Sequence, residues 1–143
     1  MNKWDQRFMA MARNEIATWS KDPNEGVGCL IVSPDRRQFT AGYNGFPALI
    51  ADTQDRLGDR DTKNRLMVHA ELNAVLNAKR DLAGWSLYVT KPPCADCCLV
   101  IVQAEIARVV RPEINFKSKW VDSLMLGQTI LDEAGVETIA EDG

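Results

Sequence analysis

The sequence contains a single histidine and only four cysteines among its 143 residues. So few cysteines exclude a miniprotein held together by disulfides. No apolar run approaches the roughly 20 residues that a helix needs to cross a bilayer, so we expect no membrane contact. A net charge of −3 argues against a protein whose main task is to coat nucleic acid, and we expect no nucleic-acid partner.

The sequence also lacks an export signal, because its first helix candidate carries charged residues such as Lys3, Asp5 and Arg7. We therefore expect a cytoplasmic protein. In that reducing compartment, cysteines are more often metal ligands or free thiols than disulfide partners.

The residues that are present fit one folded unit. Apolar residues make up 45% of the chain and charged residues 26%, which excludes a disordered chain or a collagen-like repeat. The sequence has no internal repeat, low-complexity tract or linker. A chain of this length can bury its own core, so we expect a single domain over residues 1–143.

Short strands and helices alternate in the second half of the chain. Apolar periodicity and turn residues predict the following elements: helix Trp4–Trp19, strands Val27–Val32 and Gln38–Tyr43, helix His69–Arg80, strand Trp85–Thr90, helix Cys94–Glu105, strand Arg108–Arg111, helix Val121–Ala134 and strand Val136–Ala140. The β-α-β-α-β order favours parallel strands, and the first hairpin adds an antiparallel edge. The sequence therefore predicts an α/β fold, a three-layer α/β/α sandwich with a five-stranded mixed sheet.

A charged segment without sustained apolar periodicity lies between Asn44 and Val68. One interpretation is a solvated loop with one or two helical turns. The other is a contact with a substrate, an effector or a second subunit, because long loops in compact domains often carry function.

The chemistry is concentrated in two short motifs, His69-Ala70-Glu71 and Pro93-Cys94-Ala95-Asp96-Cys97. One imidazole nitrogen and two thiolates are ligands suited to zinc. Both motifs fall where a predicted helix begins, and the partial positive charge of a helix N-terminus favours thiolates. Three protein ligands leave a fourth tetrahedral position open to water, as in catalytic zinc sites.

Glu71 points to a reaction rather than to a purely structural site. A carboxylate two residues after the histidine can take a proton from zinc-activated water and deliver it to a ring nitrogen and a leaving amine. His-x-Glu combined with Pro-Cys-x-x-Cys is typical of zinc-dependent nucleobase deaminases. We expect Cys29 and Cys98 to pack in the core, because a fourth protein ligand would close the site.

The sequence resembles the deoxycytidylate (dCMP) deaminases over nearly its whole length. The motifs that carry the resemblance are Ser20-Lys21-Asp22-Pro23, Val27-Gly28, Gly42-Tyr43-Asn44-Gly45-Phe46-Pro47, His69-Ala70-Glu71-Leu72-Asn73-Ala74, Leu87-Tyr88-Val89-Thr90 and Pro93-Cys94-Ala95-Asp96-Cys97. The zinc motif is common to cytidine, guanine and tRNA-adenosine deaminases, whereas the Ser-Lys-Asp-Pro and Gly-Tyr-Asn-Gly-Phe-Pro motifs look specific to the dCMP branch. The resemblance implies a cytidine-deaminase-like fold and the hydrolysis of dCMP to dUMP and ammonia, which supplies thymidylate synthesis.

The resemblance also implies roles for individual residues. His69, Cys94 and Cys97 would hold one zinc ion, and Glu71 would move protons. Substrate contacts would come from Asn44, Ala70 and Pro93. Members of the family are commonly hexamers that dCTP activates and that dTTP inhibits with a magnesium ion. The effector site would involve Gly42, Tyr43, Gly45 and Phe46.

The chain departs from the family pattern at two places. Ala48-Leu49-Ile50 stands where members often have a basic or small polar residue and a glycine, which bears on regulation more than on catalysis. Some relatives hold a second, structural zinc near this loop. This chain has no second histidine and no cysteine between Cys29 and Cys94, so we expect one zinc per chain.

A basic stretch, Lys117–Trp120, precedes the last predicted helix. Lys119 and Trp120 are candidate substrate residues, because a phosphate there would also meet the backbone N–H groups of the helix. The alternative is a solvated connection, with Trp120 in the core.

Two other functions remain open from the sequence. The same zinc chemistry can act on dCTP, deoxycytidine or an RNA base, although the acidic balance disfavours RNA. A zinc-stabilised nucleotide-sensing module is the second alternative. It would not need Glu71 and would require a fourth protein ligand.

Overall fold

The computed structural model describes residues 1–141, and positions 142 and 143 of the predicted domain lie outside that range. Five strands form one mixed sheet in the order β2-β1-β3-β4-β5. Their bounds are Gly28–Val32 (β1), Phe39–Tyr43 (β2), Ser86–Val89 (β3), Arg108–Arg111 (β4) and Glu137–Ala140 (β5). β1 is antiparallel to β2 and β3, whereas β3, β4 and β5 are parallel. The predicted mixed sheet with an antiparallel edge is confirmed.

The longer helices of residues 1–141 pack on the two faces of this sheet, and two short helices after β2 pack on each other. Their bounds are Lys3–Asn14 (α1), Gln54–Gly58 (α2), Arg60–Leu66 (α3), Ala70–Ala78 (α4), Ala95–Gln103 (α5) and Val121–Glu133 (α6). None of these helices is long and apolar enough to cross a membrane.

Alternate residues of the strands supply two separate cores. Leu30 of β1 belongs to one cluster with Met9 of α1, whereas the next residue, Ile31, belongs to a second cluster with Ala74 of α4 and Ile101 of α5. This separation follows because successive side chains of a strand point to opposite faces. The three-layer α/β/α prediction is confirmed.

The predicted first helix is longer than the observed one. α1 ends at Asn14, and Ile16–Trp19 form a 3-10 turn. The turn brings the backbone of Ala17 against Gly28, where an added Cβ atom would lie 2.7 Å from the Ala17 nitrogen. Trp19 is 56% exposed, so its prediction as a core-facing residue is wrong. Its ring instead meets the ring of Tyr43 edge-on.

The charged segment before α4 is more ordered than a solvated loop. α2 and α3 occupy much of it, and each is capped by a side chain, Thr53 for α2 and Asp59 for α3. Lys63 of α3 is buried, at 4% exposure. The segment therefore contributes to the interior of the protein as well as to its surface.

Candidate metal centre and active site

Two helix starts meet at the carboxyl end of β3. His69 is the N-cap residue of α4, and Cys94 is the N-cap residue of α5. The position of α4 depends on Gly42 of β2, where a Cβ atom would lie 2.3 Å from the Ala74 nitrogen and 2.4 Å from the Ala70 oxygen. Only glycine permits so close an approach of the strand to the helix. Ala70 is therefore fully buried beside the sheet.

The side chains of His69, Cys94 and Cys97 form a cluster that suits a metal ion. Their ligand atoms all lie within 4.8 Å of one another, and this is the one such group of three or more within residues 1–141. His69 Nδ1 is 3.3 Å from Cys97 Sγ and 3.6 Å from Cys94 Sγ. A tetrahedral zinc ion with ordinary bond lengths requires N···S separations of about 3.5 Å. Both the donor set and its spacing therefore fit zinc.

The electrostatics of the cluster favour a thiolate. The pKa of Cys94 is lowered to about 4, because Cys97 and His69 form hydrogen bonds with its sulfur. The pKa of Cys97 is raised, because its thiol interacts with that sulfur and is itself buried. The hydrogen bond with Cys94 also raises the pKa of His69. The three side chains thus stabilise a thiolate at Cys94, and binding of a zinc ion would also require the thiolate of Cys97 and a neutral His69 ring.

Glu71 lies in the first turn of α4, two residues after His69, and is only 5% exposed. Burial raises the pKa of its carboxyl group, while the positive charge of His69 acts in the opposite direction. A carboxyl group whose pKa is raised toward neutrality can both accept and donate a proton, which is what general acid–base chemistry needs.

The two remaining cysteines stand apart from the cluster, as expected. Cys29 and Cys98 are fully buried in the core on the α4 side of the sheet. Burial raises the pKa of Cys98 to about 12 and that of Cys29 well above its ordinary value. Cys98 Sγ lies 3.8 Å from the backbone oxygen of Pro93. Pro93, a predicted substrate residue, is itself buried beside Cys94.

The Asn44 side chain is occupied by bonds within the protein. Its Nδ2 group donates to Asp22 Oδ2 at 3.3 Å and to the Glu25 backbone oxygen at 3.2 Å. Its Oδ1 atom accepts from the Val27 backbone N–H at 2.8 Å. A substrate contact by Asn44 remains a prediction. It would have to use the one lone pair of Oδ1 that these three hydrogen bonds leave free.

The basic stretch before α6 lies on the surface. Trp120 is 56% exposed, so its placement in the core is wrong, and Lys119 Nζ lies 5.2 Å from the centre of its ring. α6 nevertheless packs beside the metal-binding cluster, because Ser123 Oγ accepts a hydrogen bond from the Ala95 N–H at 3.1 Å. No local sequence pattern marks Ser123 as a contact of this helix start.

A cavity of about 290 Å³ lies next to the end of β2. Three of the four predicted effector residues, Tyr43, Gly45 and Phe46, line it. The fourth, Gly42, is instead buried against α4. The charged groups of the lining are Lys21, Asp22 and Asp52, and Lys21 pairs with Asp52 at 2.8 Å.

The chain matches a known protein family and has similar relatives. The model of the cytidine and deoxycytidylate deaminase zinc-binding region matches residues 2–112. Over 139 residues the chain is 39% identical to an uncharacterized deaminase in the luxG 3' region of Aliivibrio fischeri, covering 96% of this chain and 92% of that protein. Over 140 residues it is 36% identical to the deoxycytidylate deaminase of Pongo abelii, covering 94% of this chain and 77% of that one.

The fold also has counterparts among solved structures. A dCMP deaminase from the cyanophage S-TIM5, in complex with dCMP and dUMP, superimposes with a TM-score of 0.77 over 99% of each chain. The two sequences are 23% identical, so this similarity concerns the fold.

Proposed function

We propose that this chain, which belongs to the cytidine and deoxycytidylate deaminase family, hydrolyses dCMP to dUMP and ammonia. The observation that carries the proposal is the cluster of His69, Cys94 and Cys97 beside the buried carboxyl group of Glu71. Relatives named as deoxycytidylate deaminases support dCMP as the substrate.

The residues of the site have two roles, binding of the zinc ion and proton transfer. His69 Nδ1 and the sulfur atoms of Cys94 and Cys97 would hold the zinc ion. When bound, zinc supplies a Lewis acid that makes water nucleophilic near neutral pH. Glu71 accepts a proton as the water oxygen adds to C4 of the cytosine ring and delivers it to N3. It then takes the second proton from the hydroxyl group on C4 and delivers it to the amine, which leaves as ammonia while the C4 carbonyl forms. Its burial favours this role because a raised pKa makes both transfers accessible.

The predicted substrate residues complete the proposed site. Ala70 and Pro93 are neighbours of His69 and Cys94 in the sequence, and both are buried. Lys119 and Trp120 are exposed near the start of α6, whose next turn contacts Ala95 through Ser123. We assign them to the phosphate and sugar of the nucleotide. Asn44 would contact the deoxyribose.

Regulation is a second part of the proposal. The cavity lined by Tyr43, Gly45 and Phe46 is the proposed site for dCTP as activator and dTTP as inhibitor. Its charged lining offers one lysine against two aspartates. A triphosphate there needs an accompanying Mg²⁺ ion, because the cation offsets the repulsion between the carboxylates and the phosphates.

The remaining expectations are also proposals. We propose a single domain over residues 1–143 and a homohexameric assembly, in keeping with the family resemblance. Exposed apolar side chains on the helices α4, α5 and α6, Leu76, Leu99 and Leu126, are candidate subunit contacts. We also propose a cytoplasmic location, because a reducing compartment keeps the proposed zinc ligands Cys94 and Cys97 from oxidation to a disulfide.

The test is a deamination assay on the purified protein. Ultraviolet absorbance is followed with dCMP, dCTP, deoxycytidine and CMP in separate reactions, each with and without added dCTP or dTTP. We expect dCMP to be converted, faster with dCTP and more slowly with dTTP. Conversion of deoxycytidine or dCTP instead would keep the zinc chemistry and overturn the substrate. No conversion of any of the four by zinc-loaded protein would favour the nucleotide-sensing alternative.

A further inference from the structure

Lys63 is the buried residue of α3, a helix whose other residues are exposed or half-buried. It is 4% exposed, whereas Arg60, Asn64 and Arg65 of the same helix are exposed. Its Nζ atom lies 2.9 Å from Asp22 Oδ1, and the two side chains are 5% and 10% exposed. Removing such an ion pair from water is costly unless further hydrogen bonds compensate for the lost hydration. The surroundings of Asp22 provide that compensation.

Asp22 organises the loop between the 3-10 turn and β1. Its Oδ1 atom accepts from the Asn24 N–H at 2.9 Å and from the Glu25 N–H at 3.4 Å, in addition to Lys63. Its Oδ2 atom accepts from Asn44 Nδ2 at 3.3 Å. Lys63 is therefore the counter-ion of a carboxylate that holds both the loop and the Asn44 amide.

Asn44 connects this network to the metal-binding cluster. The next residue, Gly45, pairs with Val68 through two backbone hydrogen bonds of 2.8 and 3.1 Å. Val68 directly precedes His69, the N-cap residue of α4. Asn73 of α4 also donates to the Tyr43 backbone oxygen at 2.8 Å. The end of β2 is thus tied on one side to Asp22 and on the other to the start of α4.

We propose that Lys63 is a positioning residue for the deaminase reaction: its buried ion pair with Asp22 fixes the Asn44 amide and the end of β2, and thereby the substrate side of the site. The inference rests on the proposed function. Lys63 does not touch the reacting atoms and acts through Asp22. We expect loss of this ion pair to weaken substrate binding rather than zinc binding, because the other contacts between α4 and β2 keep His69 in place.

Three variants test the proposal in the full-length, zinc-loaded protein. Lys63→Met removes the cation at similar volume, and Lys63→Arg keeps it. Lys91→Met is the matched control, because Lys91 Nζ pairs with Glu25 Oε2 of the same loop at 2.7 Å, but there both side chains are about half exposed. Each protein is assayed for zinc content, for kcat and KM with dCMP, and for hydrogen exchange of the backbone amides of residues 20–27.

We expect Lys63→Met to retain its zinc and to raise KM about tenfold with kcat within about threefold of wild type, because a displaced binding group weakens substrate contacts. Its Asn24, Glu25 and Val27 amides should exchange at least about tenfold faster, since they lose a fixed acceptor network. Lys63→Arg should restore most of both effects, and Lys91→Met should match wild type.

Several results would overturn the proposal. These are an unchanged KM in folded Lys63→Met, equal KM values in the Met and Arg variants, and a KM increase in Lys91→Met as large as in Lys63→Met. If Lys63→Met does not fold, Asp22→Asn tests the same network, and an unchanged KM there overturns it. If the wild-type protein does not turn over dCMP, the proposed function fails, whatever the Lys63 variants show. Hydrogen exchange then decides the network by itself, because unchanged exchange in Lys63→Met would overturn it and faster exchange would support it.

Discussion

Replacing Gly42 with alanine tests how closely β2 must approach α4. The added Cβ atom would lie 2.3 Å from the Ala74 nitrogen and 2.4 Å from the Ala70 oxygen, against an ordinary contact distance of 3.4 Å or more. Both neighbours are helix backbone, so no flexible side chain can relieve the overlap. The helix or the strand must therefore move by about 1 Å.

The displacement has two expected consequences. Overpacking of this size costs about 3 kcal/mol in the free energy of unfolding. Ala70 lies between His69 and Glu71, so a shift of the helix start also misplaces a proposed zinc ligand and the proposed proton-transfer group. A misplacement of about 1 Å typically lowers turnover about 100-fold. We therefore expect Gly42→Ala to lose both stability and kcat/KM for dCMP.

Urea unfolding measures the first effect and the deamination assay the second. Gly58→Ala is the matched control, because nothing lies within 4 Å of the added Cβ atom and the residue is in helix α2. This variant should keep its activity, and its free energy of unfolding should stay within about 1 kcal/mol of wild type, because Gly58 is the last residue of α2 and alanine fits there without overlap. The reasoning is refuted if Gly42→Ala unfolds at the wild-type urea concentration and turns over dCMP at the wild-type rate.

Three further predictions concern single side chains. Glu71→Gln should keep its fold and its zinc by elemental analysis but lose turnover by at least about 100-fold, since the amide cannot carry a proton; loss of zinc instead would make Glu71 a ligand. Cys94→Ser should lose metal and thermal stability together, because metal binding contributes to folding, and unchanged zinc content would refute its assignment as a ligand. Asp5→Asn should lower the free energy of unfolding at pH 7 by about 3 kcal/mol, because the buried carboxylate accepts two hydrogen bonds from Arg108 and one from Tyr88. Burial acts to raise the pKa of Asp5, but these hydrogen bonds lower it below its ordinary value of 3.8. The difference in the free energy of unfolding between wild type and Asp5→Asn, measured in urea, should therefore be constant above about pH 5. It should shrink as the pH falls below 3.8, where the carboxylate becomes protonated.

The candidate zinc ligands could be predicted from the sequence because their geometry is local. Cys94 and Cys97 are three residues apart at the start of one helix, which places both sulfur atoms on the same side whatever the tertiary structure is. His69 also begins a helix. The strands that precede the two helices, β2 and β3, run in the same direction on either side of β1, so both helix starts fall at the same edge of the sheet. The structure brings the three ligand atoms together as expected.

The fold was predictable for a related reason, since apolar periodicity reports which face of each element is buried. The strand bounds agree to within two residues, and β4 agrees at both ends. The first helix was predicted too long because the 3-10 turn depends on a contact between Ala17 and Gly28. Gly28 lies in β1, outside the stretch whose apolar periodicity predicted the helix. The sequence pattern registers such contacts only indirectly.

The burial of Lys63 within the charged segment could not be predicted from the local sequence. Lys63 stands among charged residues, and nothing in its neighbourhood distinguishes it from the exposed Lys79 or Arg65. Its burial depends on Asp22, 41 residues earlier in the chain. Ser123 is a similar case, because its contact with Ala95 depends on how α6 crosses α5. Long-range polar partners of this kind are set by tertiary packing rather than by spacing along the sequence.

The hydrogen bonds of Asn44 limit what a substrate could share with it. An amide side chain has two N–H donors and two acceptor lone pairs on its oxygen. Both Nδ2 donors have partners, Asp22 and Glu25, and Val27 occupies one lone pair of Oδ1. Asn44 therefore has one free hydrogen-bond acceptor site, the second lone pair of Oδ1. This site can accept a hydrogen bond from a deoxyribose hydroxyl group. It cannot bind an ionised phosphate, because the phosphate oxygens are themselves acceptors. The phosphate therefore requires donors elsewhere, and the exposed Lys119 beside the start of α6 is the predicted substrate residue with the chemistry to provide one.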